Sequence, residues 1–280
     1  MDDASDDGSP DMVTRDFPRV KLLRNPRNVG FGETVNHGVA EARGDYLVLL
    51  NNDLVPRQEM IREMVEPLRE DAELFGVGGK TIEWAEQKPN HVNMAGRWEN
   101  GQMLIVPDDP VEISSAMFLQ GGSSAYRLSA FRQLGCFPHV YSPGYWEDYD
   151  MSYLALKAGW RNLYNPRAVG HHLGQGSMRR KYSPEWLWKI RMRNYFFFVW
   201  MNITDEDLFE EHLESLPGIV YRGFRRKAED RDYLRGLALA IRDLEPVKRE
   251  RARRLNLARR SDREILAEFQ DHGRGCNPKA

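Results

Sequence analysis

Along the first third of this chain, short apolar runs alternate with segments whose apolar residues recur at helical spacing. Residues 19–23 (Arg-Val-Lys-Leu-Leu) read as a strand, residues 32–42 as a helix, and Tyr46–Leu50 as a second strand. Residues 57–70 then read as an amphipathic helix and residues 75–77 as a third strand. Such alternation predicts βα units and a parallel sheet. Residues 81–120 are irregular and rich in Asn, Pro, Trp and Gly, as expected of substrate loops. Residues 121–177 are dense in Gly, aromatic and acidic residues, and beyond Ser183 the pattern is helical and increasingly Arg-rich.

The run Tyr46-Leu-Val-Leu-Leu-Asn-Asn-Asp53 is the most informative. Its uninterrupted apolar stretch predicts a strand buried on both faces. Its polar end then falls at the carboxyl edge of the sheet, where open α/β folds bind ligands. A carboxylate there suits a hard divalent cation that shares its other ligands with phosphates and water. Asn and Asp are also common turn residues, so a plain strand-to-turn junction stays open at this point.

Composition narrows the picture only slightly. The 280 residues suffice for a sizeable core, with 41% hydrophobic and 29% charged residues and a formal charge of −2. Nothing here calls for nucleic acid as a partner. Cys136 and Cys276 show no metal-ligand spacing, which suits a reducing, cytoplasmic compartment. No apolar run approaches the roughly 18 residues needed to cross a bilayer, and the acidic N-terminus is unlike a signal peptide.

Three further constellations carry candidate chemistry. In Arg24-Asn-Pro-Arg-Asn28-Val-Gly30-Phe-Gly32-Glu-Thr-Val-Asn36, glycines precede a helix whose N-terminus would favour a phosphate. A simple glycine-rich turn reads equally from that spacing. In Gly144-Tyr-Trp146-Glu147-Asp148-Tyr-Asp150, a carboxylate flanked by aromatics suits a general base. Acidic residues capping the following helix, with Asp150 as one candidate, are the alternative. In Val169-Gly-His171-His172-Leu-Gly-Gln-Gly-Ser177, adjacent histidines either touch a metal or phosphate, or divide between core and solvent.

Taken in order, Asn28-x-Gly30-Phe, Asn36, Gly44-Asp-Tyr before a strand, Asn51-Asn52-Asp53, Gly121-Gly122, Glu147-Asp148-x-Asp150 and His171-His172 resemble family 2 glycosyltransferases, rhamnosyltransferase-like branch. The resemblance covers roughly residues 2–200. It implies a GT-A fold: a Rossmann-like α/β arrangement with a mixed sheet flanked by helices, in residues 1–183. Residues 184–280 would form a helical C-terminal extension. The implied activity is inverting transfer of a sugar from a nucleotide-diphosphate donor to an acceptor hydroxyl, with Mg2+ or Mn2+. The partners would be a nucleotide-sugar donor and a glycan or lipid-linked acceptor in polysaccharide synthesis.

The same resemblance implies roles for residues. Asp148 is the catalytic base. Asp53 holds the metal on the diphosphate, with His171 (less so His172) beside it, while the first acidic position of the family's Asp-x-Asp is Asn51 here. Donor-binding positions are Asp2, Asp3, Asn28, Gly30, Gly32, Asn36, Asn52 and Asp53. Acceptor-binding positions are Gly121, Gly122, Trp146 and Glu147. Arg127 would be structural or phosphate-facing.

Residues 1–9 resemble a family segment that normally follows a strand, a helix and a second strand. The expectation is therefore an incomplete nucleotide pocket, exposed apolar surface and weak activity in the chain as written. A non-catalytic, GT-A-like binding or scaffold protein is the rival reading. The aromatic stretch from Trp186 to Trp200, with Arg193-Asn194, fits either a core helix or peripheral membrane contact near a lipid-linked acceptor. Residues 222–263 read as a solvated helical face.

Overall fold

The computed structural model describes residues 1–174, 181–225 and 228–270, so Gln175–Ser177 of the histidine motif and Cys276 lie outside the described residues. The strands in chain order are β1 (Tyr46–Leu50), β2 (Leu54–Pro56), β3 (Leu74–Glu83), β4 (Pro89–His91), β5 (Asn93–Glu99), β6 (Gln102–Asp108), β7 (Ser114–Ser115), β8 (Ser123–Arg127) and β9 (Arg161–His172). The helices are α1 (Ser9–Asp16), α2 (Phe31–Glu41), α3 (Met60–Glu70), α4 (Leu128–Gln133) and α5 (Glu147–Lys157). Five more follow: α6 (Pro184–Asn202), α7 (Glu206–Arg225), α8 (Ala228–Arg242), α9 (Leu244–Leu255) and α10 (Asp262–Phe269).

The main sheet runs β1-β8-β3-β9-β2, with β4 on β3 and β7 on β9. It is mixed: β3 and β9 are parallel, whereas β8 runs antiparallel to both of its neighbours, β1 and β3. α3 covers one face, its Met60, Met64 and Leu68 packing with Val77, Ala125 and Ala168. Against the other face lie Val39 of α2, Phe131 of α4 and Met151 and Leu154 of α5, around Phe75, Tyr126 and Tyr164.

Several sequence expectations change here. β1 spans the predicted residues, but it is half-buried and pairs antiparallel to β8 on one side only among the described residues. The apolar run matched a two-sided strand because β1 packs on α3 and α2 while lying at the edge of the described sheet. Residues 19–23 do not form a strand. Their only ladder contact is a parallel bridge between Arg24 and Asp2, and Val20 is 57% exposed. Residues 81–120 are not loop alone, since β5 and β6 form a seven-pair antiparallel hairpin.

The helical C-terminal part shares its core with the sheet domain. Phe198 of α6 packs edge-on against Phe118 and against Tyr153 of α5, and the Tyr195 hydroxyl oxygen accepts the Met103 N–H of β6. From Asn194 to Asn202 every residue of α6 is buried. A helix buried all round has no single apolar stripe, so nothing in this stretch marks which face packs inward. The core reading of this segment holds for its second half, while Trp188 nearer its start is 38% exposed. Among the described residues no helix is long and apolar enough to cross a membrane.

Candidate active site

The residues singled out from sequence gather where β1, β8, β9 and the start of α5 meet. β1 ends at Asn51, whose N–H donates to the Gly122 carbonyl at 3.0 Å. A Cβ at Gly122 would lie 2.3 Å from the Asn51 amide, so only glycine lets these two segments approach. The turn that follows leaves Asn52 exposed and turns Asp53 inward, to 9% exposure.

Asp53 meets a histidine from β9. His172 Nε2 stands 3.4 Å from Asp53 Oδ1, and His172 Nδ1 lies 3.7 Å from Glu83 and 3.0 Å from the Asn90 amide. His171 takes the opposite face of β9, because successive strand residues alternate. There Arg57 Nε reaches its Nε2 at 3.3 Å and Trp84 packs edge-on against its ring. Of the two histidines, the one beside Asp53 is thus His172, not His171. His91 of β4 adds a third imidazole, 5.6 Å ring to ring from His172. Burial, followed by the nearby His172, lowers the His91 pKa to about 4, so it is neutral at physiological pH. A lone histidine in an irregular stretch gave no signal for it in the sequence.

Asp148 occupies the first turn of α5. One carboxylate oxygen accepts the Gly121 N–H at 2.9 Å and the other accepts its neighbour Tyr149 N–H at 2.9 Å. Burial pushes its pKa up from the ordinary carboxylate value, and the two N–H donors oppose that rise. The result is a fixed carboxylate with enhanced basicity, the property a general base needs. Gly121 serves it directly, and its Cα faces Phe31 and the Asp148 Cβ closely enough that a side chain would displace both.

The loop before Asp148 is held in an unusual conformation. Tyr145 and Trp146 both have left-handed backbones, at φ 77° and 78°. Each costs roughly 1 kcal/mol for a residue with a side chain. α6 supplies the compensation: the Asn194 amide donates to the carbonyls of Tyr141, Gly144 and Tyr145 at 3.0, 3.0 and 2.9 Å. Arg193 donates to Ser142 O at 2.7 Å. The Trp146 ring, expected to face acceptor, instead packs on Tyr149, Tyr195 and Phe198. The Arg193-Asn194 pair was visible in the sequence, but its target, fifty residues upstream, was not.

Arg191, one turn earlier on α6, stacks over the Tyr145 ring at 4.4 Å. Its positive charge is felt by both Asp148 and His91, which places it between the two carboxylate centres. It is exposed and was not anticipated from sequence.

Below the catalytic turn, Asp150 is no cap. It is fully buried, paired bidentately with Arg254 of α9 at 2.5 and 2.6 Å, and accepts from Tyr141 and Asn202. Trp146 caps α5 without a side-chain bond.

The N-terminal candidates turn out to hold the backbone together. Asp3 accepts from Val29 N–H, Gly30 N–H and the Asn25 amide, all at 2.9 Å. Burial alone would raise its pKa, but these donors together hold it below the usual value. Asp2 bridges Arg24 and accepts Ser5 N–H. Asn28 bonds Asp3 O and receives Lys181 Nζ, tying this loop to the start of α6. Gly30 (φ 92°) lets Phe31 N–H reach Pro143 O, where a Cβ would lie 2.5 Å from that oxygen. Gly32 packs on Phe137 and Glu147. The Asn36 amide is spent wholly on the Phe137 backbone, at 2.8 and 3.0 Å. Expected as a donor contact, it acts instead as a clasp between α2 and the loop after α4. Arg127 likewise bonds three carbonyls, of Leu68, Asp71 and Leu74.

Comparison with known proteins agrees with this geometry. Residues 1–135 match the family described as Glycosyl transferase family 2. An N-acetylglucosaminyl-diphospho-decaprenol L-rhamnosyltransferase of Mycobacterium tuberculosis is 27% identical over 206 residues, 64% of this chain and 67% of that protein. A succinoglycan biosynthesis protein of Rhizobium meliloti is 38% identical over 188 residues, and this chain spans only 53% of it. Among solved structures, GalNAc-T7 with UDP, GalNAc and Mn2+ superposes with a TM-score of 0.59 at 18% identity, covering 76% of this chain and 41% of that one. S. aureus TarS with UDP-GlcNAc gives 0.52 at 16% identity, covering 96% and 81%. These structural likenesses speak for the GT-A fold. With the ordered motifs, the matched segment and the shared fold in hand, residues 1–135 carry a family 2 glycosyltransferase domain, and the chain is similar to rhamnosyltransferase and succinoglycan-biosynthesis relatives.

Proposed function

We propose that this chain transfers a sugar from a nucleotide-diphosphate donor to an acceptor hydroxyl, inverting the anomeric carbon, with Asp148 as base. The observation that carries this is the pairing of two separate centres: Asp53 against His172, and Asp148 pinned by Gly121 N–H. Inverting transfer needs opposite electrostatics on the two sides of the sugar, and two separated carboxylates supply them.

The residues at the first centre fit a divalent cation. A carboxylate and an imidazole nitrogen converge to 3.4 Å with both side chains mostly buried, and Mg2+ prefers such oxygen while Mn2+ also accepts imidazole. Among the described residues no three His, Cys, Asp or Glu side chains are grouped to enclose a metal. A site with two protein donors leaves room for diphosphate oxygens. When bound, the cation offsets the negative charge gained by the departing diphosphate.

At the second centre, the acceptor oxygen gives its proton to the Asp148 carboxylate as it bonds to the anomeric carbon. The bond from that carbon to the diphosphate oxygen breaks, and its electron pair leaves with the nucleoside diphosphate. Arg191, charged and without an ion pair among the described residues, lies where it favours the ionised base and the anionic leaving group. Asn52 and the backbone at Gly121 and Gly122 line the approach between them.

The rhamnosyltransferase relative acts on a lipid-linked acceptor, and we extend that acceptor class, with peripheral membrane contact at the inner face, to this chain. Polysaccharide synthesis follows from the same relatives. The test is thermal stabilisation by UDP, dTDP and GDP, each with and without Mn2+. Stabilisation that needs Mn2+ and disappears in Asp53→Ala is expected. No shift with any of the three, in either condition, would favour a scaffold protein instead.

A further inference from the structure

Glu147 directly precedes the base, yet its side chain runs the other way. It is 4% exposed, and its Oε2 is buried without a hydrogen-bond partner among the described residues. A carboxyl oxygen cannot be left so at no cost: an unmet buried acceptor loses about 1–3 kcal/mol, and more when charged. Beside it is a cavity with about 10 Å3 of room for the centre of a water molecule. That is roughly the room of one water. Gly32, Glu33, His139, Tyr141, Ser142 and Glu147 are among its walls. Ser142, with its neighbours Tyr141 and Pro143, brings polar groups to one side of a space whose other side reaches the surface at His139.

The charged surroundings decide the protonation state. Across the cavity, Glu33 of α2 is already paired with His139, so neither offers Glu147 a free cation. On its own helix stand Asp148 and Asp150, and Asp150 spends the nearest buried cation, Arg254. Tyr141 donates its hydroxyl to Asp150. Burial first, and then repulsion from Asp148, raise the Glu147 pKa, against the backbone N–H groups of Glu147 and Tyr145. Asp148 has the better claim on the single negative charge, since two N–H donors point at its oxygens.

We propose that Glu147 is kept as the neutral acid, donating from Oε2 to one water trapped in this cavity, and thereby leaves Asp148 the sole charge of the pair. This rests on the reading of Asp148 as base. Glu147 is then a positioning residue, not the acceptor contact expected from sequence. Its proton keeps a second negative charge out of the catalytic turn and anchors that turn, through the water, to the loop at Ser142.

Two readouts separate this from a merely structural role. In the infrared spectrum of the substrate-free protein at neutral pH, a protonated carboxyl band is expected that Glu147→Gln removes. In Asp148→Asn the same band should vanish at lower pH than in the wild type, because the repelling neighbour is gone. For turnover, read as nucleoside diphosphate release from a panel of UDP- and dTDP-sugars with Mn2+, Glu147→Gln mimics the neutral acid. It should stay within about threefold of wild type and lose the alkaline fall in rate that ionising Glu147 imposes. General-base loss, by contrast, typically costs about a hundredfold or more.

The proposal is overturned if the band is missing from the wild type, or if Glu147→Gln is as inactive as Asp148→Asn. An unchanged alkaline limb in Glu147→Gln would overturn it too. Should Asp148→Asn keep full turnover, the base assignment fails, while the infrared band still reports the state of Glu147.

Discussion

Replacing Asn194 by Ala is the most informative perturbation of the catalytic loop. Asn194 is fully buried, and its amide meets three carbonyls of the Tyr141 to Tyr145 loop within 3.0 Å. Its own oxygen accepts from Arg193 Nε at 2.9 Å. Removing a partner leaves a buried acceptor unmet at about 1 kcal/mol or more. The Tyr141 carbonyl keeps the Gly144 N–H, so the Gly144 and Tyr145 carbonyls decide the loss, about 2 kcal/mol, a sizeable share of a domain's roughly 5–15 kcal/mol. The strained Tyr145 and Trp146 backbones would then be free to relax, which moves Asp148 away from Gly121 N–H. Urea unfolding should show a lower midpoint at unchanged m, and turnover should fall further than stability explains. Asn194→Asp, which can only accept, should be no better. Stability within about 0.5 kcal/mol of wild type together with full turnover, the range of an ordinary surface substitution, would refute the clamp.

At the metal centre, His172→Ala should weaken Mn2+-dependent binding of nucleoside diphosphate by about ten- to a hundredfold, the range seen when ordering groups at metal sites are lost. His171→Ala should leave it nearly unchanged. Equilibrium titration of both variants checks the order. Arg254→Met strands the buried Asp150 charge, and breaking such a pair costs about 3–5 kcal/mol. In a double-mutant cycle, Asp150→Asn in the same chain should recover part of that loss. For pH, His212 is buried, its pKa lowered first by burial, with Trp200 Nε1 donating to Nε2 at 3.0 Å. The unfolded chain takes up that proton near the ordinary histidine value of 6.5, whereas the folded one resists until lower pH. Stability should therefore fall as pH drops below about 6.5, by at most about 1.4 kcal/mol per unit for this one group. His91, held to about 4, adds to the same window, and His212→Gln should flatten the slope of urea midpoints against pH.

The sequence was most legible where the chemistry is local. The run ending in Asn51-Asn52-Asp53 predicted β1 and the turn that carries Asp53, because continuous apolar residues and a polar stop are both set by neighbours in the chain. Asp148 was singled out by the order of motifs behind the resemblance, since its own spacing left a helix cap open. What stayed hidden depends on partners far along the chain. Asp3, Asn36 and Glu147 are of the right type for binding, but Val29, Phe137 and a small cavity claim them in the fold. The choice between His171 and His172 hangs on which face of β9 meets Asp53, and a strand's facing is fixed only by its pairing. Arg191, His91 and the target of Asn194 come from segments with no periodic signal, so only packing reveals them. Helix α6 was read as helical, but burial on every side of its second half erases the stripe that would have shown which face packs inward.

The central claim is that Asp148 takes the acceptor's proton while Asp53 and His172 serve the donor's diphosphate. Asp148→Asn tests it most directly, with donor turnover and Mn2+-dependent nucleoside diphosphate binding measured on the same preparation. The account predicts turnover lowered by about a hundredfold or more, with binding unchanged. Full turnover in Asp148→Asn, or loss of binding together with turnover, would contradict it.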